Sequence, residues 1–203
     1  MSIQKSARID AMAANELKTI SFKSSSVFRD WLDANHDKSD GIWMRIFKKD
    51  SGKKTITYAE ALDQALCFGW IDGLRRAYDA ESYIQKFTPR RARSVWSKLN
   101  TQHVERLVKH GHMHAAGLQA VEAAKSDGRW HAAYDSPGNA TVPEYFLDAL
   151  QKNQKAKRFF EILNKTNVYS IVWRLQTAKK PETRDKRMSA ILAMLERGEK
   201  FHP

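Results

Sequence analysis

Cys67 is the single cysteine of this 203-residue chain, so no disulfide can form within it. A small fold stapled by disulfides is excluded, and one thiol suits a reducing compartment. No apolar run approaches the roughly 18 to 20 residues that cross a bilayer. The opening stretch MSIQKSARIDAMAANELKT lacks the apolar segment a secretory signal needs. Cytoplasm is therefore the expected compartment. The common signatures of catalysis are missing too: there is no G-x-x-x-x-G-K, no G-x-G-x-x-G and no G-x-S-x-G. No catalytic residue, metal site or cofactor is assigned, and an enzyme is not the leading expectation.

Acidic residues are also in deficit. The chain has 35 Lys and Arg against 23 Asp and Glu, a formal net charge of +12. The excess is uneven, with +2 over residues 1–50, +2 over 51–150 and +8 over 151–203. From Ile84 to Lys98 there is no acidic residue at all, while Lys86, Arg90, Arg91, Arg93 and Lys98 are basic. A basic surface concentrates anions such as nucleic acid, phosphorylated metabolites or anionic lipid. The plainer reading is that the charge serves only solubility.

Enough apolar residue is present, at 42%, for a real core, and 203 residues make one domain or two small packed subdomains. Residues 1–15 lack periodicity and are expected to form a flexible tail. Leu17 to Phe22 alternates as a half-buried strand does, and Ser24, Ser25 and Ser26 offer caps for a helix carrying Val27, Phe28, Trp31 and Leu32. Ile42 to Phe47 reads as a strand, the Asp50-Ser51-Gly52 signal as a turn, and Lys53 to Thr57 as the returning strand of a hairpin. Thr57 and Glu60 fit a capping box ahead of a helix that Gly69 stops or bends. Trp70 to Tyr78 and Ser82 to Phe87 read as two further strands. Beyond Pro89 the pattern becomes helical, most clearly at Val168, Ile171, Val172 and Leu175 and at Met188, Ile191, Leu192 and Leu195. The expected class is α+β: a small, mostly antiparallel sheet with helices over residues 16–100, packed against an all-helical part over 101–203.

The basic stretch is interleaved with Phe87, Ser94, Trp96 and Ser97. Guanidinium forks match planar oxyanions, and aromatic rings beside them suit stacking. The candidate ligand-binding set is Trp70, Asp72, Arg75, Arg76, Arg90, Arg91, Ser94, Trp96, Ser97 and Asn100. Against it stands the reading that these arginines pair with acids and cement the subdomains. Asp72, bracketed by Gly69 and Gly73, is a ligand contact or general base on one reading and a turn partner on the other, and the turn reading is favoured. His110, His112 and His114 alternate, yet they lie between two expected helices and lack the separated pairs of a zinc site. Cys67, among apolar neighbours, reads as an inert buried thiol. Lys179, Lys180, Arg184, Lys186 and Arg187 gather at the start of the last helix, either as a solvated face or as a second lobe of one anionic footprint.

The motifs GWIDG, FTPRR and S-x-W-S-x-x-N, followed by the segments Leu107–Leu118, AKSDGRW and AKKPETRDKR, resemble the YdeI/OmpD-associated family, also described as bacteriocin-protection proteins. The resemblance implies a role in bacteriocin or antimicrobial-peptide protection or in envelope stress, and by the family name an outer-membrane porin as a partner. It brings no reaction with it. The leading expectation is a non-catalytic cytoplasmic protein that binds an anionic small molecule or macromolecule. A nucleic-acid-binding protein is the first alternative, and an enzyme using Asp72 or a histidine in a cleft is the second.

Overall fold

Alternating apolar and polar side chains build a four-stranded sheet in the computed structural model, which describes residues 17–203. The tail expected over residues 1–15 lies outside the described residues. The strands are β1 (Thr19–Ser21), β2 (Ile42–Phe47), β3 (Trp70–Ala77) and β4 (Ser82–Pro89). Their order is β1-β2-β4-β3, with β1 parallel to β2 and the other pairings antiparallel. The α+β class expected from the sequence is the one observed, with the sheet in the N-terminal half and a helical C-terminal part.

The chain divides into two units, one of residues 17–94 and 103–124 and one of residues 95–102 and 125–203. In the first, one sheet face is the core. Ile42, Met44 and Ile46 of β2 and Phe87 of β4 are buried there with Phe28 and Leu32 of helix α1 (Ser25–Asn35) and Leu62 and Leu66 of helix α2 (Tyr58–Cys67). Both helices begin where the sequence says. Ser24 Oγ accepts from the Val27 N–H, and Thr57 with Glu60 forms the reciprocal capping box.

The expected hairpin strand over Lys53–Thr57 does not form. Both edges of β2 are already taken, one by β1 in parallel and the other by β4, so the segment has no strand edge of β2 to pair with. Its one large apolar side chain, Ile56, is instead wholly buried, and its N–H donates to the Phe22 carbonyl at 3.0 Å. The signal at Asp50-Ser51-Gly52 is a short 3-10 turn with Gly52 in the left-handed region at φ +66°.

Helix α3 (Lys98–Lys109) spans the division between the units, and α4 (Ala115–Ser126) follows it. The second unit then carries α5 (Glu144–Gln151), α6 (Gln154–Glu161), α7 (Lys165–Gln176) and α8 (Pro181–Glu196). Phe146, Leu150, Ala156, Ile171, Leu175, Ile191 and Leu195 form its core. Asn153 and Asn164 cap α6 and α7, and Pro181 occupies the first position of α8, where its missing N–H costs nothing. The chain end is tied back: His202 N–H donates to Asn167 Oδ1 at 2.9 Å, and its ring lies 2.8 Å from Ser170 Oγ.

Gly117 sets the approach of α4 to the end of α2. A Cβ at that position would stand 2.7 Å from the Cys67 carbonyl carbon, which no side chain tolerates. Gly117→Ala is therefore expected to destabilise the protein by about 1–3 kcal/mol through backbone displacement. A urea midpoint lowered at unchanged m-value reads this out, and a midpoint matching wild type refutes the close-packed account of α4.

Candidate anion-binding site

The site begins with the period of a strand. Phe87 of β4 is fully buried, so Lys86 and Thr88 must point to the opposite, outer face of the sheet, and Arg90 follows in the same phase. As β4 leaves the sheet, the Arg90 N–H donates to the carbonyl of Gly69 at 2.9 Å. Gly69 holds φ +72° there, turning the end of α2 into β3. A tight turn follows: the Arg91 N–H donates to Ser94 Oγ at 3.1 Å, and the Ser94 N–H donates to the Arg91 carbonyl at 2.9 Å. Arg91, Ala92 and Arg93 are thereby exposed.

A surface cavity of about 470 Å³ opens at this end of the sheet, lined by Leu17, Asp40, Lys86, Thr88, Pro89, Arg90 and Arg91. Three cations thus face one carboxylate. Among the described residues, no ion pair is formed by Lys86, Arg91 or Arg93. A cavity with a cationic excess and a threonine hydroxyl can hold an oxyanion by charge-assisted hydrogen bonds.

The other expected site residues are dispersed. Trp70 is 1% exposed, its indole N–H donates to the His36 carbonyl at 3.1 Å, and its ring meets Trp31 edge-on at 5.8 Å. Asp72 accepts a hydrogen bond from the Tyr58 hydroxyl at 2.8 Å. A bulge between Asp72 and Arg75 shifts the register of β3, and Gln85 Nε2 donates to the freed Gly73 carbonyl at 2.9 Å. Past the bulge Arg75 shares a face with Gln85 and stacks on Tyr83 at 3.9 Å. Arg76 turns to the outer face and lies 5.0 Å from the ring centre of Trp43.

Ser94 closes the turn just described, but Trp96, Ser97 and Asn100 belong to the second unit. Trp96 is 1% exposed and packs on Trp130 with ring centres 5.0 Å apart. Ser97 caps α3, its Oγ accepting from the Asn100 N–H at 3.1 Å. Lys98, the last cation of the acid-free run, pairs with Asp135 at 2.7 Å. Of the C-terminal cluster, Arg187 donates to the Arg174 carbonyl at 2.7 Å and to Thr177, and Arg184 lies over Tyr145 at 4.9 Å, whereas Lys179 and Lys180 are exposed.

The histidines do not assemble. The rings of His110 and His112 stack at 6.1 Å, while His114 packs on Phe68 at 4.6 Å and on His36 at 4.9 Å. Among the described residues, no three His, Cys, Asp or Glu side chains converge as a metal ion would require. Cys67 is buried, and burial pushes its thiol pKa up, which keeps it protonated and unreactive.

The ligand set expected from sequence omitted Lys86, Thr88 and Asp40. The signal for the first two was present: Lys86, Thr88 and Arg90 recur with the strand period about an apolar Phe87. Asp40 reaches the cavity from the loop before β2, and no local pattern marks it.

Fold and cavity together define an α+β protein with a basic cavity at one end of its sheet. Residues 20–120 match a domain of unknown function, DUF8412, and residues 139–198 match the family described as "Bacteriocin-protection, YdeI or OmpD-Associated". No curated protein and no solved structure matches the chain. The C-terminal segment is thus similar to the YdeI/OmpD-associated family over about 60 residues, the family its motifs resemble. The matched segment holds AKKPETRDKR, whereas GWIDG and FTPRR lie in the stretch matched by the domain of unknown function.

Two groups of the first unit give the stability a pH dependence. Burial first, and then the charge of Asp72, holds the Tyr58 hydroxyl pKa far above its ordinary value, and burial raises that of Cys67. Above about pH 8.5 the unfolded chain sheds the Cys67 proton, and near pH 10 the Tyr58 proton, while the folded one retains both, so stability falls as pH rises. The urea midpoint is expected to drop between about pH 8 and 10.5. Burial raises Tyr145 and Tyr169 as well, so a Tyr58→Phe, Cys67→Ala double variant should lose part of that drop, and an undiminished drop would assign the slope to other groups.

Proposed function

We propose that this protein is a non-catalytic binding protein for an anionic ligand or partner, and that the cavity at the end of β4 receives the anion. One observation carries the reading. Lys86 and Thr88 share one face of β4 and, with Arg90 and Arg91 just beyond its end, line one cavity; Lys86 and Arg91 form no ion pair among the described residues. Cations that form no ion pair and outnumber the carboxylates at a concave surface retain their attraction for an incoming anion. The buried, protonated Cys67 supports a reducing, cytoplasmic setting. The family of the C-terminal segment supports protection against bacteriocins as the biological context, with a porin as a partner by name.

Net charge alone would attract anions anywhere on this chain, so the test compares variants of equal charge. Lys86→Ala with Arg91→Ala removes two charges at the cavity, and Lys152→Ala with Lys200→Ala removes two exposed charges elsewhere. On a heparin column the cavity variant is expected to elute at clearly lower salt than the control. Equal elution of the two would reduce the attraction to net charge and end the reading.

A further inference from the structure

The outer face of the sheet offers more than an anion cavity. Trp43, Arg45 and Phe47 of β2 and Ile84, Lys86 and Thr88 of β4 all keep some exposure, while the opposite face carries the buried core. Trp43 pairs across the ladder with Lys86. The Lys86 ammonium stands 6.0 Å from the Trp43 ring centre, and the Arg76 guanidinium 5.0 Å from it. A half-buried indole thus has two cations over its ring, and neither forms an ion pair among the described residues. Arg45 differs: Asp79 neutralises it, and it lies between Phe47 at 4.5 Å and Tyr78 at 4.8 Å as part of the aromatic wall.

We propose that this face binds single-stranded nucleic acid, with a base stacking on Trp43 and the backbone phosphates following Arg76, Lys86 and Arg91. The proposal rests on the anion-binding reading of the cavity and extends it along the sheet. A compact anion is best served by cations converging on one point. Here Lys86 and Arg91 line the cavity while Arg76 of β3 lies beyond it beside Trp43, so the spacing of the cations extends past a single point. That spacing suits a polymer with repeated charge. A half-exposed ring beside the cations suits a ligand that also carries flat aromatic faces, which peptides of Asp and Glu lack. Bases of a duplex are stacked on one another, so the ring selects an unpaired strand.

Fluorescence anisotropy with a labelled oligo-dT of about a dozen nucleotides tests this, within the site sizes known for such platforms. Trp43→Ala is expected to weaken binding about tenfold or more, and Trp43→Phe to stay near wild type, because stacking needs a ring. Lys86→Ala with Arg91→Ala should lower the magnitude of the log–log salt slope by about 1.4, from two lost phosphate contacts. If folded Trp43→Ala binds oligo-dT as wild type does while the Lys86, Arg91 variant is weakened on both oligo-dT and heparin, anion binding stands and the stacking proposal falls. Poly-glutamate or duplex DNA binding as tightly as oligo-dT also overturns it. If Trp43→Ala fails to fold, Arg76→Glu at the exposed end of β3 replaces it, and undiminished oligo-dT binding by that variant is equally fatal.

Discussion

Burial of Phe87 is the constraint on which the candidate site depends. Once that ring is packed against Phe28, with centres 5.9 Å apart, the phase of β4 is set. A slip of one residue would carry Lys86 and Thr88 into the core and Phe87 into water, exchanging every side chain between faces. The cationic row is therefore not an independent feature of the surface. It is the other side of the apolar packing, and the stability of the core against α1 and α2 holds the cations in register. The capping of both helices contributes to the same end, because it fixes where their apolar stripes begin.

A second constraint decides how β3 joins this surface. Strict alternation would put Asp72 and Arg76 on one face and Arg75 on the other. The extra residue at Gly73–Leu74 reverses that phase, so Arg75 shares the core-side face with Asp72 and stacks on Tyr83, while Arg76 reaches Trp43. Gln85, nearly buried at 3% exposure, stabilises the irregularity by donating to the Gly73 carbonyl. Bulges commonly re-aim a side chain near a binding surface, and here one separates two adjacent arginines into different environments.

Basic charge has unequal fates along the chain. In the second unit Arg129 pairs with Asp127, Lys98 with Asp135 and Arg197 with Glu199, while Arg187 is satisfied by a carbonyl and a hydroxyl. These cations serve helix ends and loops. In the first unit Lys86, Arg91 and Arg76 form no ion pair among the described residues. The +8 of the C-terminal 53 residues, the most conspicuous feature of the composition, is thus not where the candidate cavity lies. The family match and the cavity likewise fall in different segments, the first at 139–198 and the second in residues that match a domain of unknown function.

Local chemistry by itself determined much of this protein. The caps at Ser24 and Thr57, the strand Ile42–Phe47, the strand from Trp70 to within one residue of its expected end at Tyr78, the buried Cys67 and the helical character after Pro89 all follow from neighbours within a few residues, and all were legible. The tertiary structure alone decided the rest, because it depends on partners far away in the chain. The pairing of β2 with β1 and β4, rather than with residues 53–57, is a competition for two strand edges that no local window contains. The burial of Trp70 and Trp96 depends on His36, Trp31 and Trp130. The entry of Asp40 into a cavity lined by β4 residues depends on the pairing of β2 with β4, since which distant side chains meet is set by how the strands pair.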